Sequence, residues 1–235
     1  DPLLSYSVEI LLKACKYQPK LIEENFESKM IYIINSRPIE AATILQIYAK
    51  AFKTIVNPWP LLDLLITEKK KFNKSLAGSI VVDTLVDLLE NCEDYIKSRL
   101  MNCKKVFSFF IKSPIKQNSI EAYKAISLFY DDEFDLPFEK IASDLNDPKM
   151  APYVIGLFRK IENVPAVPEI LLPLINLAKE NKDASEAILN MTKSIDINQF
   201  LINNQKKWVK YPLPTYFDTF LILLKCIKKN NFKQL

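Results

Sequence analysis

The sequence predicts an all-α protein built from roughly a dozen short helices. Apolar residues recur at three- and four-residue steps along most of the chain, which is the spacing of one helix face. The chain contains 14 prolines and only two glycines, Gly78 and Gly156. Prolines are tolerated in the first turn of a helix and after its end, so they fit many short helices. The scarcity of glycine disfavours β-rich folds, whose tight turns need it.

The N-terminal half is predicted to form helices separated by proline-containing breaks. Pro38 is placed to begin the strongest of them. Its apolar stripe comprises Ile44, Ile47, Tyr48, Ala51, Phe52 and Ile55. Residues 57–60 (NPWP) form a firm break, because proline removes a backbone donor and restricts the residue before it. The helices expected in this half cover 3–17, 19–26, 30–34, 38–55, 61–67 and 76–90.

Two features of residues 68–90 carry more specific expectations. Residues 68–74 contain the lysine-rich run KKKFNK, which is interpreted as an exposed connection. Gly78 falls on the apolar face of the following helix, together with Val81 and Leu85. A glycine on such a face favours close approach, and another backbone is expected near it.

Polar capping patterns set the starts of several later helices. Residues 118–121 (NSIE) are interpreted as a capping box, because a polar residue followed by Glu can satisfy two backbone donors. Asp183 with Glu186, and Asp196 with Gln199, are interpreted in the same way. The helices expected in this half cover 95–111 as one or two helices, 119–129, 137–145, 148–161, three segments within 165–204, and 216–227.

Residues 165–204 are the stretch around which the chain is organised. In its first segment Pro168 fits the first turn, and Pro173 is placed to kink or restart the helix. The second segment has a narrow stripe with small residues at its start, formed by Ala184, Ala187, Ile188 and Met191. Each segment is too short to be stable alone in water, so each must bury its stripe on neighbouring helices.

The run ILLPLINLAKENKDASEAILNMTKS resembles an armadillo or HEAT-type repeat. In that family a leucine-rich helix precedes a break and then a helix of the form A…AL.NL. The glycine that commonly separates the first two helices is absent, and Met191 stands where the family often has Leu. The positions of the family pattern are taken here by Ala184, Ala187, Ile188, Leu189 and Asn190.

The resemblance implies a right-handed α-solenoid, in which each repeat contacts mainly its neighbours and the stack presents an extended surface. Because the breaks are short and no Gly/Ser-rich linker occurs, residues 1–235 are expected to form a single solenoid domain. The chain opens at Asp1 and not at Met, which suggests a segment of a larger protein.

The amino-acid composition limits the kinds of catalysis and metal binding that the chain can support. The chain has no histidine, which excludes Ser-His-Asp and Cys-His catalysis and imidazole metal sites within it. Neither a cofactor nor a metal is expected, and this segment is not expected to be an enzyme. Scattered cysteines suggest reduced thiols and a cytoplasmic setting. No C-x-x-C zinc pair is formed by Cys15, Cys92, Cys103 and Cys226.

The net charge and the hydropathy of the chain indicate which kinds of partner it is expected to bind. The net charge is +4 and the isoelectric point is about 8.7. That balance is less basic than is typical of a nucleic-acid-binding domain, so nucleic acid is not the favoured partner. No apolar run approaches the roughly 18 residues that a membrane span needs.

The favoured partner-binding cluster lies near the C-terminus. Aromatic and basic residues together are typical of interface hot spots. The alternative interpretation is that Trp208 closes the end of the core while the lysines face solvent. The cluster comprises Lys206, Lys207, Trp208, Lys210 and Tyr211.

Other candidate sites have simpler structural interpretations. The acidic loop 131–135 lacks the glycine and the ligand spacing of a calcium loop, so a solvated loop is favoured. The lysines of residues 69–74 could contact phosphates, but a solvated connection is favoured there too. Packing roles are predicted for Trp59, which would join two helical layers, and for Phe107, Phe109 and Phe110.

The predicted function is a non-enzymatic scaffold that holds a protein or peptide along a face of stacked helices. A second hypothesis is a regulatory region of a larger multidomain protein, such as a protein kinase with armadillo-like repeats. The segment cannot be the kinase domain, because it lacks a Gly-rich loop and any histidine for an H-R-D motif. A third hypothesis is nucleic-acid binding through the basic runs, with an affinity that falls steeply as salt rises.

Overall fold

The computed structural model of the protein describes residues 2–17, 26–51, 58–91, 93–129, 134–161 and 167–192, together with 221, 222 and 225. Every regular element in these residues is a helix, which confirms the all-α prediction. The chain divides into two compact units, Asp1–Ala125 and Ile126–Leu235. The expectation of a single continuous domain stays a prediction.

The helices of the described residues agree in most positions with those expected. Two predictions are wrong: a helix begins at Trp59, inside the break predicted at 57–60, and the helix predicted at 61–67 is divided at Asp63. The segment at 95–111 forms one helix and not two. In chain order the helices are α1 (Pro2–Tyr17), α2 (Glu27–Ser36), α3 (Pro38–Lys50), α4 (Trp59–Leu62), α5 (Leu64–Thr67), α6 (Lys69–Phe72), α7 (Ala77–Asn91), α8 (Glu93–Ile111), α9 (Lys116–Phe129), α10 (Phe138–Leu145), α11 (Ala151–Phe158), α12 (Pro168–Leu177) and α13 (Lys182–Met191). None of these helices is long and apolar enough to cross a membrane.

Helix α3 is central to the packing of the first unit, because it lies against α1, α2 and α7. Its predicted start at Pro38 is confirmed. The separation of two packed helices depends on the side chains at their contact, and the small side chains of α3 allow close approach. Its buried face comprises Ala41, Ala42, Ile44, Leu45, Tyr48 and Ala49.

Residues 68–74 are not simply an exposed connection. Residues 69–72 form the one-turn helix α6, and the Phe72 side chain is fully buried. Lys70, Lys71 and Lys74 are exposed, as the charge pattern predicted. The prediction followed the lysines and missed the single aromatic side chain among them, which buries a large apolar area.

The capping box predicted at Asn118 is wrong. Helix α9 begins two residues earlier, so Asn118 and Ser119 lie inside its first turn, and both are buried. The Asn118 Oδ1 accepts the backbone N–H of Ser79 in α7 at 2.8 Å. The Ser119 hydroxyl donates to the carbonyl oxygen of Ile111, at the end of α8, at 3.0 Å. These side chains therefore satisfy the ends of two other helices.

Gly78 lies in the first turn of α7, directly against α8 and α9. A Cβ placed on Gly78 would lie 2.5 Å from Nδ2 of Asn118 and 2.7 Å from Cε1 of Phe110. The expected close approach is confirmed, but the neighbours are side chains and not the expected backbone. Glycine is needed here because even a methyl group would overlap with its neighbours.

In the second unit, α12 packs against α10 and α13, and α11 packs against α10 and α13. Pro168 lies in the first turn of α12, as predicted. The helix continues through Pro173, so the predicted restart does not occur.

The cap predicted for the second segment is also wrong. The N-cap of α13 is Asn181, whose Oδ1 accepts the backbone N–H groups of Asp183 at 2.9 Å and Ala184 at 3.3 Å. Asp183 and Glu186 instead pair with Arg159, at 3.2 and 2.7 Å. Asn and Asp are equally favoured caps, so the sequence pattern could not choose between positions 181 and 183. The cap predicted at residue 196 lies outside the described residues.

Candidate functional site

The cluster predicted to bind a partner lies outside the part of the chain that the structure describes. The acidic loop does too, except for Phe134 and Asp135. Within the described residues, no group of three or more His, Cys, Asp or Glu side chains could hold a metal ion. The residues whose predicted role stays untested are Lys206, Lys207, Trp208, Lys210 and Tyr211.

A groove of about 340 Å³ lies between the C-terminal halves of α3 and α7, and we call it the α3–α7 groove. Residues four apart share a helix face, so Gln46 and Lys50 line it from α3 while Asp87 and Asn91 line it from α7. Buried apolar side chains lie between these polar rows. The full lining comprises Gln46, Ala49, Lys50, Thr84, Asp87, Leu88 and Asn91.

Hydrogen bonds hold the polar rim of the α3–α7 groove. The Gln46 Nε2 donates to Oδ2 of Asp83 at 3.0 Å and so joins α3 to α7. The Asn91 Nδ2 donates to the backbone carbonyl oxygen of Asp87 at 2.7 Å. Both side-chain amides therefore have defined positions beside the groove, which lowers the entropy that binding would cost.

The rim carries mutually repelling carboxylates. Asp83 is exposed at the surface; partial desolvation raises its pKa, and the carboxylates of Asp87 and Glu121 raise it further. Lys50 and Lys124 act in the opposite direction, yet the pKa of Asp83 remains above its usual value. Lys124 also pairs with Glu121, at 3.0 Å. An additional cation beside Asp83 would therefore relieve repulsion that the protein's own lysines leave in place.

A second groove of about 400 Å³ lies between α10 and α12 in the second unit, and we call it the α10–α12 groove. Glu139 and Glu169 give it carboxylates as well. The raised pKa of Asp83, which accepts a hydrogen bond from the lining residue Gln46, favours the α3–α7 groove as the better candidate site. The lining of the second groove comprises Glu139, Ala142, Ser143, Asn146, Pro168, Glu169, Leu172 and Pro173.

Trp59 belongs to a cluster with a structural role. Arg99 of α8 donates from Nε to Oδ1 of Asp63 at 2.7 Å and from Nη2 to Oδ2 at 2.9 Å. The same guanidinium lies 4.4 Å from the centroid of the Trp59 ring. Bidentate pairing and stacking on an aromatic ring both favour arginine over lysine. The cluster joins α8 to α4 and to the residue that precedes α5, as expected of a packing role.

The aromatic and thiol groups of α8 are also part of the packing. Phe107 and Phe110 are fully buried, as predicted, whereas the half-buried Phe109 ring lies 5.9 Å from Nζ of Lys69. Burial raises the pKa of the Cys103 thiol to about 12, with a smaller opposing effect of Arg99. A thiol with that pKa is protonated at neutral pH and is a poor nucleophile.

No protein-family model, curated protein or solved structure matches this chain. The α3–α7 groove was not predicted from the sequence, although a signal was present. Gln46 and Lys50 recur at a four-residue step, and so do Asp83, Asp87 and Asn91. The sequence did not indicate that these two polar rows face each other, because they are far apart along the chain. In the part that the structure describes, the short helices α4, α5 and α6 lie between α3 and α7.

Proposed function

We propose that this chain is a non-enzymatic helical-repeat protein of the armadillo or HEAT type, a right-handed α-solenoid, which binds a protein or peptide partner. The observation that supports the proposal is the α3–α7 groove, with its polar rim and buried apolar side chains. Stacked helices of this kind bind partners along an extended surface. The proposed partner segment would lie between the rows of α3 and α7.

The chemistry of the rim favours an extended peptide. A peptide presents a donor and an acceptor at each residue, and the side-chain amides of Gln46 and Asn91 can supply either group. Their hydrogen bonds to Asp83 and Asp87 already fix where they lie. The apolar side chains of Ala49 and Leu88 would contact the peptide between the two amides.

The charges of the rim favour a basic side chain in that peptide. Desolvation raises the pKa of Asp83 most, and repulsion from Asp87 and then Glu121 adds to it. A Lys or Arg side chain placed beside Asp83 and Asp87 would be attracted to both carboxylates and would lower that pKa. The contact is partly solvated, so it would contribute to specificity and association rate more than to affinity.

The experiment is selection of peptides from a random library displayed on phage, with the full chain as the target. We expect enrichment of sequences with Lys or Arg, and titration of a selected peptide should shift the NMR signals of the Gln46 and Asn91 side-chain amides. Asp87→Lys should weaken binding roughly tenfold or more, which is about 1.4 kcal/mol. Glu169→Lys, in the α10–α12 groove, is the matched control and should leave binding unchanged.

Three outcomes would count against the proposal. They are a selection without enrichment, peptides that bind Asp87→Lys as tightly as the original chain, and peptides that shift only signals of the second unit. Random RNA and DNA, tested at low salt in the same assay, address the nucleic-acid hypothesis. That hypothesis, the regulatory-region hypothesis and the cytoplasmic setting stay predictions.

A further inference from the structure

Helix α1 has an exposed apolar stripe on the side that faces away from its packing partner α3. Tyr6 and Ile10 are each 66% exposed, and Tyr17 is 72% exposed. With Lys13 they follow steps of four, three and four residues, so all four lie on one face of the helix. No other helix in the described residues exposes three large apolar side chains.

An apolar stripe on the outer face is unusual for a helix at the surface of a folded unit. Surface helices normally turn polar residues to solvent, and a helix that is apolar on two sides is normally covered on both. One side of α1 lies on α3. The exposed apolar side of α1 therefore resembles a surface that contacts another molecule.

The order of residues along the stripe is nearly symmetric. A tyrosine stands at each end of the stripe. Ile10 follows Tyr6 by the same number of residues by which Lys13 precedes Tyr17. When two copies of α1 lie antiparallel, centred between residues 10 and 13, Tyr6 of each copy opposes Tyr17 of the other. Ile10 then opposes the aliphatic part of Lys13, whose ammonium group extends to solvent.

The charges beside the stripe fit the same arrangement. Glu9 and Lys13 pair within one helix, with Oε1 and Nζ 3.0 Å apart. Lys16 lies beside Tyr17, with its Nζ 5.4 Å from the ring centroid. In the antiparallel pair, Glu9 of each copy comes next to Lys13 and Lys16 of the other copy. The surface is therefore complementary to itself in charge as well as in the order of its residues.

We propose that the exposed stripe of α1 is a self-association surface, on which a second copy of this chain binds antiparallel about a twofold axis. A single helix face is smaller than the roughly 800 Å² per partner of a standard interface, so the dimer is weak and depends on concentration. This surface is separate from the α3–α7 groove, and its test does not depend on peptide binding.

The first experiment is sedimentation velocity of the full chain over a range of concentrations. We expect a shift from monomer to dimer as concentration rises, and Ile10→Glu should weaken association roughly tenfold or more. Leu128→Glu is the matched control, because Leu128 is an aliphatic side chain of similar exposure, 62%, on α9. Circular dichroism of each variant reports whether helix content is unchanged.

The second experiment tests the antiparallel arrangement by charge exchange. Glu9→Lys and Lys13→Glu should each weaken the dimer, because each places like charges opposite one another. The double variant restores opposite charges between positions 9 and 13, although Lys16 is unchanged, and should recover part of the association. Single variants that leave the dimer unchanged, or a double variant that dimerises no better than either single variant, would overturn the arrangement.

The stripe itself is tested by two further outcomes. A chain that remains monomeric at every concentration, or a dimer that is unaffected by Ile10→Glu, would overturn the proposal. A monomeric chain that sediments with vesicles of phosphatidylcholine and phosphatidylserine through this stripe would show that it meets a lipid surface instead.

Discussion

Asn118 in the first unit and Asn190 in the second are both buried asparagines, yet their side chains form hydrogen bonds at opposite ends of neighbouring helices. Asn118 bonds at the start of a helix, and Asn190 bonds at the end of one. Asn118 accepts the N–H of Ser79 in the first turn of α7 and donates to the carbonyl oxygen of Ser75, at 2.8 and 2.9 Å. Asn190 donates to the carbonyl oxygens of Phe158, the last residue of α11, and Ile161, just beyond it, at 3.3 and 2.9 Å.

The two amides differ in how closely their neighbours approach. Asn118 uses both its oxygen and its nitrogen at the start of α7, and this brings its side chain against Gly78. In the second unit, a Cβ placed on Gly156 of α11 would have no neighbour within 4 Å. The close approach of the Asn118 side chain therefore requires a glycine at position 78, whereas position 156 has room for a side chain.

The largest effect is expected for Asn118→Ala. It removes the three hydrogen bonds that join Asn118 to Ser79, Ser75 and Ser113. Each lost hydrogen bond costs about 0.5–1.5 kcal/mol, so the total loss should be about 2–4 kcal/mol. Asn190→Ala should cost about 1–2 kcal/mol, because the carbonyl oxygens it leaves are at a helix end and tolerate fewer bonds.

Urea unfolding followed by circular dichroism measures both losses. Amide hydrogen exchange at Ser79 gives a local measure that does not require the two units to unfold together. If the two variants lost equal free energies of unfolding, the predicted difference between the two asparagines would be wrong. Unchanged hydrogen-exchange protection of the Ser79 amide in Asn118→Ala would contradict it as well.

The next effect distinguishes the two glycines. Gly78→Ala should destabilise the protein by about 1–3 kcal/mol, because its Cβ would overlap with Asn118 and Phe110. Gly156→Ala should stabilise it by about 0.5–1 kcal/mol, because alanine is the better helix former and the site is open. Thermal and urea unfolding of the two single variants measure the difference.

A double-mutant cycle sharpens this result. Gly78→Ala should cost less when Asn118 is already alanine, because part of the overlap is then absent. Additive effects in the cycle would show that Phe110, and not Asn118, sets the cost at position 78.

The smallest effect concerns the carboxylates of the α3–α7 groove, which have no described counterpart with a raised pKa in the second unit. Asp87→Asn removes a like charge four residues from Asp83 and should stabilise the protein by about 0.2–0.5 kcal/mol at neutral pH. It should also lower the pKa of Asp83, which carbon NMR of its carboxyl group would report as a function of pH.

The raised pKa of Asp83 also fixes the direction in which stability changes with pH. The pKa of Asp83 is raised above the ordinary value of 3.8, so the folded chain holds this proton to higher pH than the unfolded chain. The contribution of Asp83 to stability therefore falls as pH rises from that ordinary value through the raised one, and it stays low above it. In Asp87→Asn this fall should be smaller. A fall of equal size would mean that Asp87 does not contribute to the raised pKa of Asp83.

The sequence predicted the class of fold and most helix positions, since both depend on local spacing. Pro38 and Pro168 begin helices as predicted, and the stripe with Ala184 and Ile188 is buried. The sequence-based prediction failed where a side chain contacts another part of the fold. Asn118 was expected to cap its own helix, and Phe72 was expected to be exposed among lysines. Neither local pattern indicates which residues pack against it.

The sequence by itself determined that the chain is helical, where most helices begin and which faces are apolar. Those properties follow from residues within a few positions of each other, through periodicity and first-turn preferences. Tertiary structure alone decided that Asn118 meets Ser79, 39 residues away, and that Gln46 meets Asp83, 37 residues away. Such contacts depend on which helix faces pack together, and that choice minimises the free energy of the whole unit and not of any one segment.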